Sequence, residues 1–231
     1  MVIDPDQLHS SLNRLRGDPE LSDDLAAAMV RVADATRVLF GSDGAGVMLI
    51  DDERALSYVH SNEEGARRLE AAQRELGHGP CVDCLVLDHT VETGDVMEDP
   101  RWPGLAVLLE GSGVRAVLGV PVRLAGGAIG SLNVHRREPC SWSPEETAAI
   151  AAYARVIEDL VGAALIAQQQ GQLVDQLQHA LDNRVIIERA IGYLMARDQL
   201  NAVDAFDRLR RQARSERRKV IELAADLVGQ R

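Results

Sequence analysis

The sequence predicts an α+β domain, an antiparallel sheet with flanking helices, followed by a long coiled-coil helix and an all-α unit of three helices. Three observations predict it. Between residues 44 and 136, strand-like runs separated by turn signals alternate with helical runs, which suits an antiparallel sheet with helices packed on it. No proline occurs from Glu145 onward, and apolar residues recur there at helical spacing. Charge is uneven: residues 182–231 hold 11 Lys+Arg and 8 Asp+Glu, while the other 181 residues hold 14 and 28.

Residues 4–40 read as two helices. Asp4 or Asp6 can cap the first, and Gly17-Asp18-Pro19 ends it. The second places Leu25, Met29, Val32, Ala33, Thr36 and Leu39 on one face, and Gly41-Ser42-Asp43-Gly44 breaks it. The period then changes. AGVMLID reads as a buried strand, Asp51-Asp52-Glu53 as a turn and RALSYVHS as the hairpin partner. The polar helix EEGARRLEAAQREL follows, then the punctuated HGPCVDCLVLDHT. Further strands are expected in VETGDVMED, RAVLGVPVRL and GAIGSLNVHR, with Gly126-Gly127 turning between the last two and a short helix near Trp102-Pro103.

Ser143-Pro144-Glu145-Glu146 is a helix start, because Ser143 can cap, Pro144 suits the first position and Glu146 completes a capping box. Apolar residues then recur at Ile150, Ala154, Ile157, Val161, Ala164 and Leu165, lapse through Gln168-Gln169-Gln170-Gly171, and resume at Leu173, Leu177 and Leu181. A helix continuous over 144–197 would span ~80 Å and need a partner for its stripe. That reading makes 144–180 a coiled-coil linker in a homodimer, with Ile150, Ile157, Val161 and Ala164 at the seam. The alternative is a break at Gly171 with two shorter helices packed locally. Asn201 can cap a further helix carrying Phe206 and Leu209, and Ser215 a last one carrying Val220, Leu223 and Leu227.

Hydrophobic residues at 46% and charged residues at 26% are ordinary for a globular chain. No apolar run reaches membrane-spanning length, and MVIDPDQLHS has no basic stretch followed by an apolar one. A soluble cytoplasmic protein without a membrane partner is expected. The three cysteines suggest no disulfide framework. The net charge of −11 argues against nucleic acid until its distribution is considered, since residues 182–231 are net +3 and the remainder −14.

The run ALDNRVIIERAIGYLMARDQLNAVDAFDRLRRQARSERRKVIELAADLV resembles an ANTAR domain, the RNA-binding antitermination module, across about fifty residues. The resemblance rests on Arg184–Met195, Ala205–Arg210 and the basic Arg217-Arg218-Lys219. It implies binding to a paired-hairpin RNA that overlaps a terminator, one domain per hairpin in a dimer, and it places Gly192 among the binding residues. Where the family carries a lysine, between Ala190 and Gly192, this chain has Ile191. The residues agree: with the apolar positions assigned to a core, Arg184, Arg189, Arg208, Arg211, Arg214, Arg217, Arg218 and Lys219 are expected outside, where a guanidinium fork suits phosphate and guanine. Cations at 217–219 would oppose the dipole at a helix start, which a bound phosphate would offset. Solvated arginines paired with Asp182, Glu188, Asp204 and Asp207 are the bland alternative.

GAGVMLIDDERALSYVHS, GHGPCVDCLVLDHTVETGDVMEDPRWP and GVRAVLGVPVRLAGGAIGSLNVHRREPCSWSPEE resemble a GAF domain over residues 21–165. An N-terminal helical segment at 1–20 would precede it, and the ANTAR unit would occupy 175–231. A GAF domain implies a sensor, with no resident cofactor or metal indicated and with a small-molecule or redox signal as its input. Cys81 and Cys84 are the residues for a redox signal; a zinc site with His78 and His89, or plain packed cysteines, are the other readings. No catalytic constellation is evident, so a regulator is expected rather than an enzyme. A thiol-dependent GAF sensor or enzyme, its terminal helices serving dimerisation, is the alternative function, and duplex DNA the alternative nucleic acid.

Overall fold

The computed structural model describes residues 3–18, 24–49, 57–61, 63–166 and 172–229. Asp4 caps α1 (Pro5–Arg16) by accepting from the Asp6 N–H at 2.9 Å. Asp24 does the same for α2 (Leu25–Phe40), accepting from Ala26 and Ala27 at 2.9 and 3.1 Å. These caps take up amide donors that a helix start leaves unpaired. Then come β1 (Gly44–Leu49), β2 (Ser57–Ser61), α3 (Glu64–Leu76), α4 (Pro80–Leu87), β3 (Val91–Thr93), α5 (Leu105–Leu108), β4 (Ala116–Leu124) and β5 (Gly127–Arg136). The strands form one antiparallel sheet in the order β2-β1-β5-β4-β3.

Several details differ from the sequence reading. The segment after α3 is a helix, α4, started by Pro80 at its first turn. The strand expected over 91–99 stops at Thr93. The β4–β5 turn is Ala125-Gly126, both at positive φ (49° and 85°), the pairing that a tight two-residue hairpin requires. Gly127 already belongs to β5. The turn expected at 51–53 lies outside the described residues.

Both faces of the sheet are covered. Ala45, Val47, Leu118, Val120, Leu132 and Val134 meet α1, α2 and α6 (Pro144–Ile166) in one apolar cluster. The other face, with Met48 and Val117, packs under α3, α4 and α5. The capping box forms as expected: Ser143 Oγ accepts from the Glu146 N–H at 3.2 Å, and a Glu146 carboxylate oxygen accepts from the Ser143 N–H at 2.9 Å. That carboxylate also holds Arg136 at 2.6 Å while 1% exposed, so the start of α6 is anchored to β5.

The seam expectation for Ile150, Ile157, Val161 and Ala164 is corrected. All four are buried, at 5% exposure or less, in the cluster that α6 makes with the chain's own β4 and α2. The stripe was real, and its partner is the sheet.

The linker is also not one helix. Gly162 of α6 and Arg184 of α7 (Gln172–Asp198) both lie against Leu124: a Cβ on Gly162 would stand 3.9 Å from Leu124 Cδ1, and Arg184 Nη1 donates to the Leu124 carbonyl at 3.4 Å. A straight helix would separate two such positions by ~33 Å at about 1.5 Å per residue. The chain therefore returns to the β4–β5 turn, in line with the alternative of two locally packed helices. Residues 168–171, where the stripe lapses, lie outside the described residues, as do the side chains of Leu173, Leu177 and Leu181.

Helices α7, α8 (Ala202–Glu216) and α9 (Val220–Gly229) make the C-terminal unit around Ala190, Leu194, Phe206, Leu209, Leu223 and Ala224. Asn201 caps α8 by accepting from the Asp204 N–H at 2.9 Å. Ser215 is no cap. It lies in the last turn of α8 and donates its hydroxyl to the Gln212 carbonyl at 2.8 Å.

Candidate nucleic-acid interface

Three faces of α8 follow from its 3.6-residue period. Phe206, Leu209 and Ala213 point into the C-terminal core. Arg208 and Arg211 point outward, with side chains 47% and 70% exposed. Asp207, Arg210 and Arg214 meet the end of α3. There the Arg74 carbonyl accepts from Arg214 Nη2 at 3.1 Å and from Arg210 Nη2 at 3.5 Å. A Cβ on Gly77 would stand 2.1 Å from Asp207 Oδ1, so only glycine admits α8 so closely. Arg210 is 4% exposed, and its burial, with the nearby Arg214 charge, holds its guanidinium down to about 10.

The sequence-predicted basic residues divide accordingly. Arg189 on α7, and Arg217 and Lys219 in the α8–α9 turn, are exposed and form no ion pair among the described residues. Gly192 is exposed, with open space where a side chain would project. Arg208 is held by Asp198 at 3.1 Å and Arg211 by Asp207 at 2.8 Å, exposed pairs of small worth that a phosphate can displace. Arg218 differs. Asp226 at 2.6 Å, Glu216 at 3.4 Å and Glu222 at 3.9 Å surround it, and the Asp226 hydrogen bond leads in holding its guanidinium charged. Its charge opposes the dipole of α9, and these acids, rather than a phosphate, answer it. Arg184 lies across Gly127, where an added Cβ would meet its guanidinium at 1.2 Å, and pairs with Glu188 at 2.6 Å. It clamps α7 to the β4–β5 turn.

Ile191, at the position where the family pattern has lysine, packs partly buried against the shared core. Arg210 is not among the sequence-predicted binding residues, and its burial against α3 depends on tertiary packing that no local signal carries.

Arg217 adds a backbone feature. It ends α8 at φ 52° and ψ 41°, and the Arg218 N–H behind it reaches the Ala213 carbonyl at 2.9 Å. Glycine is the usual residue at such a cap. An arginine there holds a left-handed backbone at some cost in local stability.

Cys81 and Cys84 are both 0% exposed, and burial pushes both thiols up, Cys81 strongly. Thiolate is the reactive form, so neither sulfur is presented as a nucleophile in this arrangement. Among the described residues no cluster of three or more His, Cys, Asp or Glu gathers as metal ligands, and no helix is long and apolar enough to cross a membrane.

A five-stranded α+β module thus carries a small helical bundle with an exposed basic rim. The GAF domain model matches residues 24–161 and the ANTAR domain model residues 175–228. The chain belongs to the GAF family, and its C-terminal unit is an ANTAR domain. Solved structures of the same fold include the GAF domain of a phosphoenolpyruvate-protein phosphotransferase from Coxiella burnetii (15% identity, TM-score 0.55, 71% of this chain and 96% of that one). A domain of a putative two-component sensor histidine kinase from Sinorhizobium meliloti 1021 matches at 17% identity and TM-score 0.53, over 65% of this chain and 100% of that one. The free methionine-R-sulfoxide reductase of Neisseria meningitidis matches at 17% identity and TM-score 0.50, over 69% and 89%. These likenesses establish the fold alone. No curated relative matches the chain.

Proposed function

We propose that this protein is an RNA-binding antitermination regulator whose ANTAR domain grips a pair of hairpins in nascent transcripts, under the control of the GAF domain. Bound RNA is held in the antiterminator form, the terminator does not fold, and polymerase reads through. The observation that carries this reading is the exposed set Arg189, Arg217 and Lys219, without ion pairs among the described residues, on the domain that matches ANTAR. Arg208 and Arg211 extend it across α8. A homodimer would supply one ANTAR domain per hairpin, and its contact surface lies elsewhere than on the buried stripe of α6.

Phosphate contacts of this kind release counterions. Affinity of the full chain for a labelled tandem-hairpin RNA should therefore fall with salt, by a slope of about 0.7 to 0.9 per contact. Replacing Arg217 and Lys219 together by alanine should flatten the slope by about one to two units and weaken binding. Arg218→Ala should flatten it less, because Asp226 already neutralises that side chain. An unchanged slope in the double variant places the binding surface elsewhere.

A further inference from the structure

The junction between α8 and α3 holds more charge than it neutralises. Arg74, Arg210 and Arg214 converge on it, each guanidinium acting on Arg210. Asp207 faces Arg210 with its Oδ2 already paired with Arg211, and Glu70 faces Arg74 from within α3. Buried side-chain atoms here lack a hydrogen-bond partner among the described residues: Arg210 Nη1, Arg74 Nε and Asp207 Oδ1. A built interface seldom leaves so many polar atoms unmatched. What does answer the arginines is the last turn of α3, whose unpaired carbonyls carry the negative end of the helix dipole.

A carbonyl oxygen accepting two guanidinium donors offers what one phosphate oxygen offers, with less charge. We propose that the α8 face bearing the buried Arg210, with the exposed Arg214 at its rim, is a further RNA-phosphate-contacting surface, held against the C-terminal turn of α3, with the Arg74 carbonyl standing in for a phosphate oxygen. The RNA-competent molecule is the one in which α8 has left α3. Arg184, clamped over Gly127 by the same docking, is released with it. The unmatched polar atoms keep the closed arrangement shallow, so a signal that shifts α3 or α4 can open it, and RNA favours the open form because its phosphates satisfy the freed guanidiniums. This rests on the RNA-binding reading above and adds which surface is regulated and by what contact.

Gly77 is the lever for a test, since it belongs to the GAF domain and lies outside the binding set. Asparagine tolerates its positive φ of 84° better than most residues, and any side chain there collides with Asp207. In the full-length chain, Gly77→Asn should raise the apparent affinity for tandem-hairpin RNA about tenfold, as the competent fraction grows. It should also make Arg210 react with phenylglyoxal, which the closed wild type resists. The opposite state comes from Gly77→Cys with Asp207→Cys. A sulfur in the place of Asp207 Cγ stands 3.1 Å from Cβ of residue 77, within disulfide reach. That variant should bind RNA weakly when oxidised and recover when reduced. Equal RNA affinity in the wild type, Gly77→Asn and the oxidised double variant overturns the proposal, as does an Arg210 that reacts freely in the wild type. The phenylglyoxal readout is independent of RNA. If Gly77→Asn exposes Arg210 while no form binds RNA, the RNA-binding reading fails and the regulation proposed here fails with it. If all forms bind equally, the regulation alone fails.

Discussion

Ile157→Asp is expected to unfold the GAF domain instead of separating a dimer. The side chain is 0% exposed, within the cluster that joins α6 to β4 and α2. The substitution removes a buried apolar side chain and puts a carboxylate in its place with no partner at hand. Large-to-small loss alone costs ~2–5 kcal/mol, and desolvating the carboxylate adds to it. Against a total stability of about 5–15 kcal/mol for a typical domain, little remains. Thermal melts by circular dichroism should show no cooperative transition near that of the wild type, while sedimentation should show aggregated or expanded chains. A well-folded monomer with the wild-type melting temperature, obtained from a dimeric parent, would return the residue to a seam between chains.

Glu70→Gln should stabilise the protein, by an amount that grows with pH. Glu70 is 6% exposed on α3, and burial pushes its carboxyl up from the ordinary 4.5 to about 8, with Arg74 pulling the other way. A carboxyl with a raised folded-state pKa keeps its proton in the native chain while the unfolded chain has lost it. The associated stability is fully present below pH 4.5 and drains away as pH rises toward 8. Each unit of separation is worth about 1.4 kcal/mol, so the window represents on the order of 5 kcal/mol. Urea denaturation from pH 5 to 8.5 should show the wild type losing stability steadily, with the glutamine variant, neutral throughout, lacking that loss. Parallel profiles would mean that Glu70 ionises without penalty and is not sealed between α3 and the rest of the core.

Particular residues show why some of this was legible in the sequence and some was not. Ser143 with Glu146, Asn201 with Asp204 and Asp4 before α1 are local devices. Their partners lie within a few residues, so residue type and spacing suffice. The α6 stripe shows where that stops. Periodicity identifies which face of a helix is apolar and says nothing about what covers it, and here the cover is a sheet some thirty residues upstream in the chain. The arginines are harder still. Arg218, Arg184 and Arg189 look alike in the sequence, yet one is ringed by acids from its own α8–α9 region, one lies across a distant glycine, and one is exposed. Long charged side chains take the partners that tertiary structure delivers. Gly77 ends α3 in a left-handed conformation, and that its missing side chain also admits Asp207 appears only once α8 is in place. The left-handed Arg217 had no signal, because a glycine would be the usual residue to end α8.

Binding of structured RNA by the ANTAR domain is tested most directly by competition. Labelled tandem-hairpin RNA is bound to the full-length protein, and to Gly77→Asn, then challenged with unlabelled hairpin RNA or with duplex DNA at equal phosphate concentration. Hairpin RNA should displace the label at far lower concentration than duplex DNA, since recognition reaches unpaired loop bases as well as backbone phosphates. Equal displacement by duplex DNA, or no binding of RNA by either protein, would contradict it.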